Sequence, residues 1–318
     1  MTGHLFISYS HHDRAYVGRL TAQLRGAGLH PWTDDGIEHG AKWKQTIEDR
    51  INTCVAFVPV MSENSRAAAW VAREIDLAQE LLKPILPILL SGRRFIELRD
   101  IQSEDVVDGS LPGPDFVARL NAIVATADRD DQSELAELIR RHNEAYQLGQ
   151  AGDRAQAMRL FRSLVADTTR VLGSDHPYTL ASRHEFARNL GDTGDRAEAV
   201  RLLRGLVADS TRLLGPDNPA TLKSRHVLAR TLGSNGDQQE AIAMLRSLII
   251  DRIRVLGPDH PATLKSRHQL AWNLATAGDR DEARSQFRSL VEDRTRVLGA
   301  DHPETRLSHE WLRHVGGL

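Results

Sequence analysis

A period of 42 residues governs the back half of this chain. Gly152-Asp153, Gly194-Asp195, Gly236-Asp237 and Gly278-Asp279 keep that spacing. So do the Leu-Gly pairs ending at Gly173, Gly215, Gly257 and Gly299, and the prolines Pro177, Pro219, Pro261 and Pro303. Three markers held in phase over four copies make a repeat architecture, in which each unit buries its apolar face only by stacking on its neighbours. Within a unit the apolar spacing is helical. A first helix follows Asp175-His176-Pro177, with proline in its opening turn, and runs through Leu180, Phe186, Ala187 and Leu190. A second begins at Asp195, where Glu198 three residues on suggests a capping box, and ends at Gly215.

Two alanine columns recur in register, Ala145/Ala187/Ala229/Ala271 and Ala157/Ala199/Ala241/Ala283. A small side chain at both sites lets paired helix backbones approach closely. These features resemble the tetratricopeptide repeat, in the long form of kinesin light chain-like arrays, over about 133–318: four repeats plus a capping helix near Glu304 to Val315, where Arg313 replaces the alanine. The resemblance implies a ligand groove lined by the first helices. His142, His184, His226 and His268 form a column at the groove position, with Arg188 and Arg230 one turn further on. The column reads either as a basic, pH-tunable ligand or peptide groove or as a solvated histidine kept by duplication. Repeats stacked about 10 Å apart are too distant for one ion to bridge, so no metal is expected there. The Asp167/Arg170, Asp209/Arg212, Asp251/Arg254 and Asp293/Arg296 pairs read as solvated i,i+3 ion pairs.

The front half alternates strands and helices. Strands are expected at 4–10, 30–33, 55–61, 85–90 and, weakly, 97–102, and helices at 13–26, 42–53, 67–82 and 115–126. That order implies a parallel sheet with right-handed crossovers. The charged stretch Asp128 to Gln132 marks the boundary between domains 1–127 and 133–318. No P-loop occurs, Gly26-Ala27-Gly28 precedes a strand rather than a helix, and no G-x-S-x-G is present. One cysteine, Cys54, excludes an internal disulfide and a cysteine-rich zinc site. Net charge −2 argues against a nucleic-acid coat, and no apolar run spans a bilayer. Without a signal peptide, the expectation is a soluble cytoplasmic protein.

Phe6-Ile7-Ser8-Tyr9-Ser10, the loop Asp34 to Gly40 followed by Trp43, Val58-Pro59-Val60-Met61-Ser62, and Trp70-Val71-Ala72-Arg73-Glu74-Ile75 occur in this order. Together they resemble a TIR (Toll/interleukin receptor homology) domain over about 4–126. The resemblance implies a flavodoxin-like α/β fold with a five-stranded parallel sheet. Members act as scaffolds through TIR–TIR contacts or cleave NAD at the nicotinamide glycosidic bond. In the cleaving members a W-x-x-x-E pattern carries the catalytic glutamate, here Trp70 and Glu74. By the same analogy Tyr9, Ser10, Trp32, Asp34 and Ser62 line the substrate pocket. The loop Asp35, Gly36, Ile37, Glu38, His39 and Gly40 would meet a neighbouring TIR domain.

Each residue also has a plain structural reading. Glu74 is otherwise a solvated helix glutamate and Trp70 a core residue. Tyr9 and Ser10 cap a strand, Trp43 packs, and His11, His12 and Asp13 form a turn. The expectation drawn from both halves is an effector joined to a sensor: an NAD glycohydrolase, with NAD as substrate and no cofactor, of bacterial-type immune or stress defence. Its TIR units would self-associate when the repeats bind a protein, peptide or small-molecule trigger. The rival is a non-enzymatic scaffold that binds TIR partners and peptides.

Overall fold

Buried strand Leu5–Ser8 (β1) is the centre of the front half. In the computed structural model, described over residues 3–34, 41–129 and 134–316, it pairs in parallel with Pro31–Trp32 (β2) on one side and Ala56–Met61 (β3) on the other. Ile88–Leu89 (β4) and Glu104–Asp105 (β5) complete a five-stranded parallel sheet of order β2-β1-β3-β4-β5. The expected self-association loop 35–40 and boundary residues 130–132 lie outside the described residues, as does the Trp43 side chain.

Every residue of β1 and β3 is buried because helices cover both faces. Leu5, Ile7, Ala56, Val58 and Val60 pack on helices Arg14–Gly26 (α1) and Pro114–Arg129 (α5). On the opposite face Phe6 lies between Phe57, stacked at 5.4 Å, and Trp32 at 5.0 Å. That face meets Ala69–Glu80 (α4), beside which lies Ala41–Thr53 (α2).

Three front-half expectations change. The helix expected over 67–82 is two: Glu63–Ala67 (α3), then α4, separated by Ala68 in extended conformation (φ −86, ψ 102). A capping box between Ser62 and Ser65 starts α3 one turn earlier than apolar periodicity suggests. The strand expected over 97–102 is instead a 3-10 turn, Ile96–Leu98. Phe95 and Leu98 both enter the core, and a spacing of three suits one helical turn rather than a strand. The last strand forms later, where Glu104 N–H reaches the Pro87 carbonyl and Val106 N–H reaches that of Leu89. The fourth is shortened from 85–90, because Pro87 has no N–H to give. Only an isolated Phe57–Ile85 bridge continues it upstream.

The chain divides into two compact units, Met1–Asn143 and Glu144–Leu318, the division falling inside helix Glu134–Gln150 (α6). Second helices of the repeats are Arg154–Leu172 (α7), Arg196–Leu214 (α9), Gln238–Leu256 (α11) and Arg280–Leu298 (α13). First helices are α6, Pro177–Thr193 (α8), Pro219–Asn235 (α10) and Pro261–Ala277 (α12), and Pro303–Gly316 (α14) closes the array. All eight column alanines are buried to 1% or less. Arg313 in α14 is exposed, as the end of a solenoid requires. Gly194 takes φ 113 after α8, a left-handed turn that suits glycine. The expected capping box at Asp195 does not form: Glu198 pairs with Arg201 instead. Caps form at the first helices, where the side chains of His176, Asn218 and His260 accept the N–H two residues on. Among the described residues no helix is long and apolar enough to cross a membrane.

Candidate functional site

In this sheet order β1 has β2 on one side and β3 on the other, so the crossover direction reverses at its carboxyl end. Ligands of open α/β sheets bind in the crevice this creates. Alternation along β1 turns Ser8 to the same face as Phe6, the face covered by α4. There the Ser8 hydroxyl donates to Glu74 Oε2 at 2.5 Å. Glu74 is only 5% exposed. Burial pushes its carboxyl up to about 8; the Ser8 hydrogen bond opposes that rise, and the charge of Asp34 adds to it.

Trp70, one turn before Glu74 on α4, directs its indole N–H to the Tyr9 carbonyl at 3.4 Å. Trp70 and Glu74 thus both meet the end of β1. Asp34, buried after β2, accepts a hydrogen bond from His11 Nε2 at 3.0 Å. The His11 ring sits 5.7 Å from that of Trp70 and 5.9 Å from that of Tyr9. Glu74, Trp70, Asp34 and His11 therefore gather at one sheet edge from three separate stretches of chain.

The other expected pocket residues serve the fold in ways their residue types conceal. The Tyr9 side chain is 2% exposed and belongs to the α1/α5 core, and it is its carbonyl that accepts from Trp70. Ser10 turns its hydroxyl to His12 Nδ1 at 3.3 Å, and its carbonyl caps Asp13 N–H. Ser62 donates to Asp13 Oδ2 at 2.5 Å and accepts from Ser65 N–H at 2.9 Å, so its hydroxyl is occupied within the fold. Asn64 adds a second bond to Asp13, at 2.9 Å, and ties the turn after β1 to α3. Trp32 is half-buried against Phe6, with the Arg50 guanidinium 5.5 Å from its ring.

Sequence reasoning missed two members. Ser8 was available from alternation, which places it with Phe6 rather than with Ile7. His11 had no sequence signal, since its partner Asp34 is 23 residues away.

The histidine column is not a groove. His184 and His226 are 6% and 7% exposed. Each Nδ1 meets a serine of the next repeat, His184 with Ser224 at 3.1 Å, His226 with Ser266 at 3.1 Å and His268 with Ser308 at 3.4 Å. His142 is buried and bonds the Glu80 carbonyl at 2.8 Å. Burial drives His226 well below the ordinary histidine range and takes His268 down to about 4, so neither titrates near neutral pH. Arg188 and Arg230 are ion-paired with Glu185 and Asp192. A column selected by its period can face a neighbouring repeat as well as solvent, and here His184, His226 and His268 face the neighbour. The Asp251/Arg254 and Asp293/Arg296 pairs form, and both arginines also reach the aspartates before the first helices, Asp217 and Asp259.

Two known families match this chain. The TIR domain family matches residues 5–124. The tetratricopeptide repeat family matches 142–178, 179–220, 221–262 and 263–304, and the chain belongs to it, as a tetratricopeptide repeat protein with an N-terminal TIR domain. Among solved structures it is similar to nearly identical TPR-like repeats, described as from a kinesin light chain of Podosopora anserina. That match has 32% identity and TM-score 0.50, covering 57% of this chain and 86% of that one. A point variant of the same repeats aligns at 32% identity and TM-score 0.52, covering 58% and 88%. No curated protein matches the chain.

Proposed function

We propose that this chain cleaves the bond between nicotinamide and ribose in NAD when its TIR units assemble, with the repeat array governing that assembly. One observation carries the reading: the Glu74 carboxyl is buried at the ligand edge of the sheet and held there by a serine, with an indole one turn away, while the neighbouring Asp34 is engaged by His11.

The chemistry asks for little more. Nicotinamide in NAD is a cationic pyridinium. When the C1′–N bond breaks, its electron pair neutralises the ring, so the leaving group needs no proton. A glycosidase acting on sugars needs an acid for that purpose and carries two carboxylates. Here one anion beside the ribose can stabilise the positive charge that builds at C1′. Water then adds to C1′ and releases its proton, giving ADP-ribose and nicotinamide. Glu74 must be ionised for this role, and burial opposes that up to pH about 8. The cationic nicotinamide ring beside Glu74 favours the carboxylate and so promotes its ionisation. Trp70 offers a flat apolar surface to a ring of the substrate.

The burial of Glu74 also favours a second reading. In a scaffold the Ser8–Glu74 bond is only a satisfied polar pair in the core, and the TIR and repeat units serve to bind partners. The two are separated by nicotinamide release from purified protein, with and without a crowding agent. Release by the wild type and its loss in Glu74→Ala support the enzyme. Release that persists in Glu74→Ala removes this mechanism, and none in any assembled state favours the scaffold. A role in bacterial immune or stress defence, a cytoplasmic location and a trigger bound by the repeats belong to the same proposal, by likeness to the family.

A further inference from the structure

The geometry at the end of β1 points to a role for Ser8 as the positioning residue of Glu74. We infer that its hydroxyl fixes Glu74 Oε2 and so leaves Oε1 to meet the ribose. This inference rests on the NAD-cleaving reading for its consequence, but not for its test.

Ser8 is the last residue of β1, where it pairs with Pro59 of β3, and it is 1% exposed. Its side chain therefore has little freedom. A 2.5 Å hydrogen bond from such an anchored donor fixes a carboxyl that otherwise sits on a longer, three-torsion side chain. Among the described residues Ser8 is the hydrogen-bond partner of the Glu74 carboxyl, and Asp34 is the charged group that acts on it. Asp34 is itself bound to His11. Ser8 is thus the one neighbour that favours the ionised form, set against burial and Asp34. It has two effects in one bond: it aims the carboxyl and keeps its ionisation within reach of ordinary pH. Catalytic groups of this kind need support from residues whose own conformations are locked.

The test has a readout that does not require turnover. Infrared difference spectra of the full chain, with glutamate isotopically labelled and Glu74→Gln used to assign the band, follow protonation of Glu74 in the wild type, Ser8→Ala and Ser8→Cys. The expected midpoint is highest in Ser8→Ala, raised by roughly one pH unit, with the weak thiol donor of Ser8→Cys in between. In the wild type the protonated carbonyl should absorb at a hydrogen-bonded frequency, a reading independent of how either variant folds. An unmoved midpoint in folded Ser8→Ala, or a free-acid frequency in the wild type, overturns the assignment. In parallel, NAD turnover by Ser8→Ala should show kcat lower by roughly tenfold or more, with KM nearly unchanged and the acid limb moved to higher pH. Equal losses in KM and kcat with an unshifted limb contradict positioning. Absence of turnover in the wild type defeats the NAD reading and leaves the spectra to decide the role of Ser8.

Discussion

Both halves of this protein bury a titratable side chain against a serine hydroxyl, and they do so to opposite ends. In the front unit Glu74, 5% exposed, takes one bond from Ser8, and Asp13, 8% exposed, takes one from Ser62, with no period relating the two pairs. In the repeats His184, His226 and His268 each meet a serine of the next repeat, at the same 40-residue separation every time. The periodic arrangement joins like units and is as widespread as the stacking it supports. The Glu74 pair costs the fold an ionisable group in the core, one whose carboxyl burial pushes up to about 8. Chemistry asks for a group held against its own solvation preference, and stacking asks only for a satisfied one.

The front half of that comparison can be broken by pH. If Glu74 acts as a carboxylate, kcat/KM for NAD cleavage should fall roughly tenfold per pH unit below about 8. The acid limb of kcat should lie lower, because the cationic nicotinamide ring of bound NAD favours the carboxylate. A kcat/KM that is flat between pH 6 and 8 would separate activity from this carboxyl.

The repeats should also lose on acidification, but through pKa values shifted the other way. An unfolded histidine gains its proton near 6.5, whereas folded His268 holds out to about 4. Its contribution is complete above 6.5 and lost as pH falls towards 4, up to about 3 kcal/mol. Arg294, packed against it, disfavours the cation, and Glu304 partly offsets this. His226 behaves likewise, facing Arg252, Lys265, Arg230 and His184. Chemical denaturation followed by circular dichroism at pH 7 and pH 4.5 measures this, and His268→Gln should flatten the dependence.

Smaller effects sharpen the same contrast. Ser266→Ala leaves the buried Nδ1 of His226 without its partner and should cost about 1–3 kcal/mol of stability, with no change in NAD cleavage. Arg254→Ala, which removes exposed ion pairs to Asp217 and Asp251, should barely move the melting temperature.

Much of this was legible before the structure. The 42-residue period, both alanine columns and the exposed Arg313 at the end of the array follow from sequence, because stacking imposes one environment on each phase of the repeat. Glu74 and Trp70 were legible as a pair, since one helical turn puts both on one face. What escaped depended on partners distant in sequence. Asp34 meets His11, Asp13 meets Ser62 and Ser8 meets Glu74 only after the sheet forms. The histidines were placed on the wrong surface for a related reason: a period reveals the phase of a residue but not which side of the unit it faces. The Ser-Arg-His triplets at 182–184, 224–226 and 266–268 did carry the clue, since serine and histidine recur together.

The most direct measurement sets one buried group against the other in the same assay: nicotinamide release by assembled wild type, Glu74→Gln and His226→Gln at pH 8. The account expects release by the wild type, its loss in Glu74→Gln, and its survival in His226→Gln. Equal release by Glu74→Gln and wild type would contradict the claim that the carboxyl beneath Trp70 does the work.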